Sequence, residues 1–254
     1  MNIRELQKNW DEFGKIDPLW AILTWPDKKG RKWQLEKFFL TGIKTIKFIM
    51  ESIESLDINI RRRRALDFGC GVGRLTQALA HYFDEVYGVD IAPSMIKLAK
   101  NYNHYGDKCK YYLNEKDNLE LFSDNYFDFI ITLLTLQHME PRYFKKYIKE
   151  FLRILAPNGL LIFQLPSEMP WQSSLKQKIK HLMPEFFLFL YRKYRRRLTQ
   201  SFPVMEMYGM NPEYIFKFLN KNKAKIVTII DINVIKALKR QESKKQNFLY
   251  YVTK

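Results

Sequence analysis

The stretch Arg61–Ala80, RRRRALDFGCGVGRLTQALA, decides how the chain is read. An apolar run, Ala65–Phe68, ends in three glycines at alternate positions, Gly69, Gly71 and Gly73, and a helical pattern follows from Arg74. A strand that turns at once into a helix needs a sharp bend there, and glycine supplies it while keeping side chains out of the way of whatever approaches the backbone. The first amides of the following helix have no partners within it, so they favour an anionic or electron-rich group nearby.

Working outward, apolar runs of strand length alternate with helical patterns. Strands are expected at Ala65–Phe68, Glu85–Val89, Cys109–Leu113, Phe127–Leu134, Leu160–Leu165, Lys225–Ile232 and Asn247–Val252. Helices are expected near Leu75–Tyr82, Pro93–Asn103, Pro141–Leu155 and Asn211–Asn220, two of them opening on proline. Repeated strand–helix punctuation implies an α/β fold with a mostly parallel sheet covered on both faces. Residues 1–60 read as a helical preface rich in tryptophan, with the apolar residues of Trp33–Leu56 recurring at helical spacing.

The second strand ends at Asp90 in VYGVDIAP, 21 residues beyond Gly69. At that spacing an acidic side chain reaches the paired hydroxyls of a ribose, so glycine turn and acid together predict a nucleoside-containing ligand. A dinucleotide fingerprint would require glycine at Arg74 or at Thr76; neither is glycine, whereas G-x-G-x-G is complete.

Four blocks in order, LDFGCGVGRLT, VYGVDIAPSMIKLAK, NYFDFIITLLTLQHM and LRILAPNGLLIFQLP, resemble class I S-adenosylmethionine-dependent methyltransferases, strongly over about residues 60–165 and more loosely over 211–254. The resemblance implies a Rossmann-like seven-stranded sheet in the order 3-2-1-4-5-7-6, an N-terminal helical cap or lid over residues 1–60, a methyltransferase domain over 61–254, and a substrate-side insertion at 166–210. It implies S-adenosylmethionine as cofactor. Gly69, Gly71 and Gly73 would then lie beside its methionine part, Asp67 would orient the amino group, Asp90 would hold the ribose and Ile91 would pack on adenine. Asp117 or Asn118 would cap the adenine amino group, and Leu133 and Leu134 would line the methionine side.

Sulfonium chemistry needs an aligned nucleophile and, for a hydroxyl, a base. His138, in TLQHMEP after the fourth strand, is the candidate general base; the alternative is that it packs or caps beneath the next helix. The loop lacks the Asn/Asp-Pro-Pro-aromatic pattern of many amine methyltransferases, which favours an oxygen acceptor. Trp20, Trp25, Trp33 and Phe39 are candidate wall residues. Cys70 and Cys109 read as small core hydrophobes, and His81, His104 and His181 show no metal spacing, so no metal is expected.

The formal charge is +16, and residues 166–254 carry 18 basic side chains against 6 acidic ones. The apolar run Phe186–Tyr191 inside this segment is flanked by lysines and by the Arg192–Arg197 cluster, which suits a small or lipid-linked acceptor, a peripheral contact with an anionic membrane or, less well, nucleic acid. The leading expectation is methyl transfer to an oxygen of a small metabolite, glycan-like or lipid-linked acceptor. The alternatives are an RNA methyltransferase and a cofactor-binding interaction protein that transfers nothing. Two isolated cysteines and no secretion-signal pattern lead to the expectation of a cytoplasmic protein.

Overall fold

A computed structural model describes residues 1–167, 203–232 and 247–254. The greater part of the expected insertion, including Arg192–Arg197 and His181, lies outside the described residues.

Seven strands form one sheet: β1 (Arg64–Phe68), β2 (Glu85–Asp90), β3 (Cys109–Leu113), β4 (Phe127–Thr132), β5 (Leu155–Pro166), β6 (Lys225–Asp231) and β7 (Asn247–Thr253). Their order is β3-β2-β1-β4-β5-β7-β6, as the resemblance implies. The pairs among β1 to β5 are parallel; β7 runs antiparallel between β5 and β6. The chain moves outward from β1 to β3 and then returns to place β4 on the other side of β1. That reversal opens a crevice beyond the carboxyl ends of β1 and β4, where folds of this kind take ligands.

Seven described helices surround the sheet: α1 (Ile3–Ile16), α2 (Pro18–Ile22), α3 (Leu35–Ser55), α4 (Arg74–Leu79), α5 (Pro93–Asn101), α6 (Pro141–Ile154) and α7 (Pro212–Lys221). Every residue of β4, FDFIIT, is buried, because helices cover both of its faces. On one side Ile130 and Phe127 pack with Phe144, Ile148 and Phe151 of α6 and with Ile215 and Leu219 of α7. On the other, Phe129 and Ile131 pack with Ile46, Ile49 and Ile53 of α3 and Leu75 and Leu79 of α4. Burying each such side chain contributes about 1.5–3 kcal/mol, so the sheet and its two helical layers form a rigid base for the crevice.

Most bounds shift by one to three residues from the sequence reading, and two strands differ in ways that matter for the sheet and its rim. β4 stops at Thr132, which frees Leu133 and Leu134 to form the crevice rim. β5 begins at Leu155, before the Asn158–Gly159 pair, and pairs with β4 through a register shift near Phe127. No described helix is long and apolar enough to cross a membrane.

Candidate functional site

The turn after β1 is laced to the end of β2. The N–H groups of Gly69 and Cys70 donate to the Val89 carbonyl at 2.8 and 3.0 Å. The Gly71 N–H donates to Asp90 Oδ2 at 2.8 Å, and the Ala92 N–H donates to Asp90 Oδ1 at 2.9 Å. Each carboxylate oxygen has a second lone pair, so Asp90 retains acceptor capacity toward the cleft it lines. Burial pushes its carboxyl above the usual range, against the lowering effect of the amides of Ala92, Gly71 and Ile91.

Space at the turn is fixed by its neighbours. Gly69, at φ +75°, has no room for a side chain, because a Cβ there would lie 2.2 Å from Thr135 Oγ1. A Cβ on Gly71 would lie 2.5 Å from Cδ1 of Ile22, so Ile22 reaches over the turn from the end of α2. Gly73 caps α4 and packs on Tyr111, away from the cleft lining.

Asp67 is buried and accepts from Thr76 Oγ1 at 2.7 Å, tying β1 to α4. Burial raises its carboxyl to about 6, opposed by the Thr76 hydrogen bond and the charge of Arg74. It does not line the cleft. Gly69, Gly71, Asp90, Ile91, Leu133, Leu134 and His138 do. Leu134 adopts a left-handed backbone, φ +62°, which costs a non-glycine residue roughly 1–2 kcal/mol; its N–H donates to Oε1 of buried Gln164 at 3.2 Å.

Asp117 and Asn118 stand outside the cleft: Asp117 pairs with Lys146 at 2.6 Å and the Asn118 side chain donates to Glu120 at 2.7 Å. Asn114 lines the cleft in their place, directly after β3, with its N–H donating to the Asp90 carbonyl at 2.9 Å. The same strand-end logic that points to Asp90 would have found it.

His138 sits on a short 3₁₀ turn, Leu136–His138. Its Nδ1 lies 2.7 Å from the Glu206 carbonyl, which can only accept; Nδ1 therefore carries the proton and Nε2 the lone pair. The Gln137 amide nitrogen is 3.2 Å from Nε2, and the Trp10 ring meets the imidazole edge-on at 5.1 Å.

The outer wall comes from distant parts of the chain: Leu6 and Trp10 of α1, Ile22, Met139, and Met205 and Met207. The 203–210 segment is pinned by Tyr208 N–H to the Gln137 carbonyl at 2.6 Å and by the Asn9 amide to the Val204 carbonyl at 2.6 Å. Trp20, Trp25, Trp33 and Phe39 do not line the cleft; they pack with Phe38 and Leu23 in a cluster that also holds the cleft residues Trp10, Ile22, Met95, Leu134 and Met205, so they stand behind the wall. Aromatic composition gave no direction to those rings. The cleft encloses about 120 Å³, and Ile22 lies over Gly71 at its edge.

Among the described residues no group of three or more His, Cys, Asp or Glu is arranged to hold a metal. Cys70 and Cys109 are buried and free; burial pushes the Cys109 thiol up to about 12 and the Cys70 thiol well above its ordinary value, which removes both as nucleophiles.

Residues 66–163 match the family model for a methyltransferase domain. Curated relatives include a tRNA N(3)-methylcytidine methyltransferase of Drosophila melanogaster, 26% identical over 41% of this chain and 35% of that protein. Another is a ubiquinone biosynthesis O-methyltransferase of Coxiella burnetii, 31% identical over 42% of this chain and 44% of that one. The chain thus spans less than half the length of these relatives. Among solved structures, magnesium protoporphyrin IX methyltransferase from Synechocystis, with bound SAH, superposes with a TM-score of 0.64 over 99% of both chains at 17% identity, a likeness of fold.

Proposed function

We propose that the chain, which has the strand order of class I S-adenosylmethionine-dependent methyltransferases and matches a methyltransferase-domain model over residues 66–163, transfers a methyl group from that cofactor to an oxygen of a small, largely apolar acceptor. The observation that carries this reading is Asp90, held at the end of β2 beside the Gly69–Gly71 turn with acceptor capacity left toward the cleft. A nucleoside ribose suits that position, and the glycine backbone leaves room beside it for the chain of the sulfonium. When bound, S-adenosylmethionine supplies an electrophilic methyl carbon.

The protein's own residues do the rest. Asp90 holds the ribose hydroxyls, Ile91 packs on the base, and Asn114 offers a polar edge to it. The Leu133–Leu134 rim, kept in place by Gln164, lines the methionine side. His138 takes the proton of the acceptor hydroxyl at Nε2, since Nδ1 is committed to the Glu206 carbonyl; the Gln137 amide gives way to the incoming hydroxyl. Leu6, Trp10, Met139, Met205 and Met207 provide an apolar wall, which suits an oily or lipid-linked acceptor better than a glycan. Residues 1–60 act as a cap whose α1 and α2 side chains close over the ligands and exclude water.

Methyl-labelled S-adenosylmethionine is incubated with the protein and with small-molecule, lipid and RNA fractions of a cell extract. Label is expected in the small-molecule or lipid fraction, and His138→Gln should lower incorporation by about a hundredfold or more while leaving cofactor affinity, read by calorimetry, within about twofold. Label confined to RNA, or no cofactor uptake by folded protein, would overturn the reading.

A further inference from the structure

α5 begins without a cap of its own. The residue before it, Ala92, has no side-chain oxygen to offer, and no acidic residue stands in its first turn. A helix start leaves its first amides without intrahelical partners, and the second or third of them ordinarily bonds to an Asn, Asp, Ser or Thr at the cap position. Here the acceptor comes from 83 residues away: Oδ1 of Asp11, on α1, accepts the Ser94 N–H, the second amide of α5, at 2.8 Å. Ser94 Oγ returns the tie by donating to the Asp11 backbone carbonyl, also at 2.8 Å.

The two helices meet closely at this point. A Cβ on Gly14 would lie 2.2 Å from Ser94 Oγ and 3.4 Å from Cγ of Met95, so its absence leaves room for the Ser94 hydroxyl to reach α1. Burial opposes a charge on Asp11, yet hydrogen bonds from Lys15 and Ser94 hold its carboxyl below the usual range. The resulting carboxylate faces the positive end of the α5 dipole. Lys15 pairs with Asp11 Oδ2 at 2.8 Å and with Glu12 at 3.0 Å, both on α1.

What this borrowed cap holds is the nucleoside end of the cleft. Between Asp90 and Ser94 lie Ile91, which lines the cleft, Ala92, whose N–H is bound by Asp90 Oδ1 at 2.9 Å, and Pro93. Asp90 ties this short stretch at one end and Asp11 at the other. Without the outer tie the first turn of α5 frays, and fewer molecules hold Ile91 and the Ala92 amide in place. Apparent affinity falls by the same fraction.

We propose that Asp11 is a positioning residue for the nucleoside: from α1 it caps α5 and so keeps Ile91 and the Ala92 amide where the base and Asp90 need them. This rests on Asp90 being the ribose acceptor.

Calorimetry with S-adenosylhomocysteine tests it on the full chain and three variants. Asp11→Ala should bind about five- to tenfold more weakly, with α1 intact because alanine is the better helix former. Asp11→Asn keeps an oxygen for the Ser94 N–H without the charge and should stay within about threefold of the wild type. Lys15→Gln removes the ion pair alone and should bind as the wild type does. In the ligand-free proteins, amide exchange over residues 91–95, read by mass spectrometry, should quicken in Asp11→Ala and in neither of the others. If Asp11→Ala binds as tightly as the wild type, the proposal falls. It falls equally if Asp11→Asn and Lys15→Gln weaken binding as much as Asp11→Ala, which would assign the effect to the ion pair. A wild-type protein that takes up no S-adenosylhomocysteine would remove the nucleoside assignment itself, and Asp11's part with it.

Discussion

At one end of the cleft the backbone itself is the binding surface: Gly69, Cys70 and Gly71 are tied to Val89 and Asp90, and Asn114 to Asp90, by hydrogen bonds between neighbouring strand ends. At the other end, side chains of Leu6, Trp10, Met205 and Met207 meet from segments nearly the whole chain apart, joined by the Asn9–Val204 contact. The first end is fixed by sheet topology and tolerates little change. The second is a packing of flexible apolar groups, replaceable one at a time, and is where a change of acceptor costs the fold least.

Replacing Asp90 breaks the rigid end most severely. Asp90→Ala removes the ribose acceptor and also leaves the Gly71 and Ala92 amides without their partner. Hydrogen bonds to a charged group contribute about 1.5–3 kcal/mol each, so calorimetry should record at least a hundredfold loss in S-adenosylmethionine affinity, with a lower melting temperature. A loss below about tenfold would mean that this end does not grip the nucleoside.

Asp67 tests whether the support beneath that end is separate from its binding surface. Its folded carboxyl titrates at about 6 against 3.8 for the unfolded chain, because burial penalises the charge. The folded state therefore binds the proton more tightly. The resulting stability is complete below about 3.8 and disappears as pH rises through about 6. Urea unfolding between pH 7 and 4 should show wild type gaining on the order of 2–3 kcal/mol relative to Asp67→Asn as pH falls. Ligand affinity at pH 7 should change only a few-fold; a hundredfold loss there would show that Asp67 reaches the ligand after all.

The same contrast explains what the sequence could tell. Gly69, Gly71 and Asp90 announce themselves because a strand end, a bend and an acid at a set spacing are local facts of the chain; repeated strand–helix units point to an α/β sheet, while its strand order came only with the family resemblance. Asn114 obeys that logic but carries no charge, and attention to acids led three residues further, to Asp117, whose carboxylate is taken by Lys146. Nothing local marks Met205 or Met207: their place depends on the 203–210 segment lying over Gln137 and Asn9. Trp20, Trp25 and Trp33 had the composition of a wall but stand behind it, packed on one another and on the wall residues Trp10, Ile22 and Met205, with the Trp25 and Trp33 rings 4.8 Å apart.

The smallest effect belongs to the replaceable end. Met207 is half-buried and faces the cleft through a flexible thioether, so shortening it removes contact with the acceptor while α1 and Met205 keep the wall closed. Met207→Ala should raise the acceptor KM by about tenfold at most and leave cofactor affinity unchanged, since an apolar pocket discriminates weakly per methylene. Bulkier acceptors should lose less than small ones, because the vacated space accepts their extra atoms. An equal loss for every acceptor, or a fall in cofactor affinity matching that of Asp90→Ala, would show that the two ends are coupled through the 203–210 segment and its bond to His138 rather than built independently.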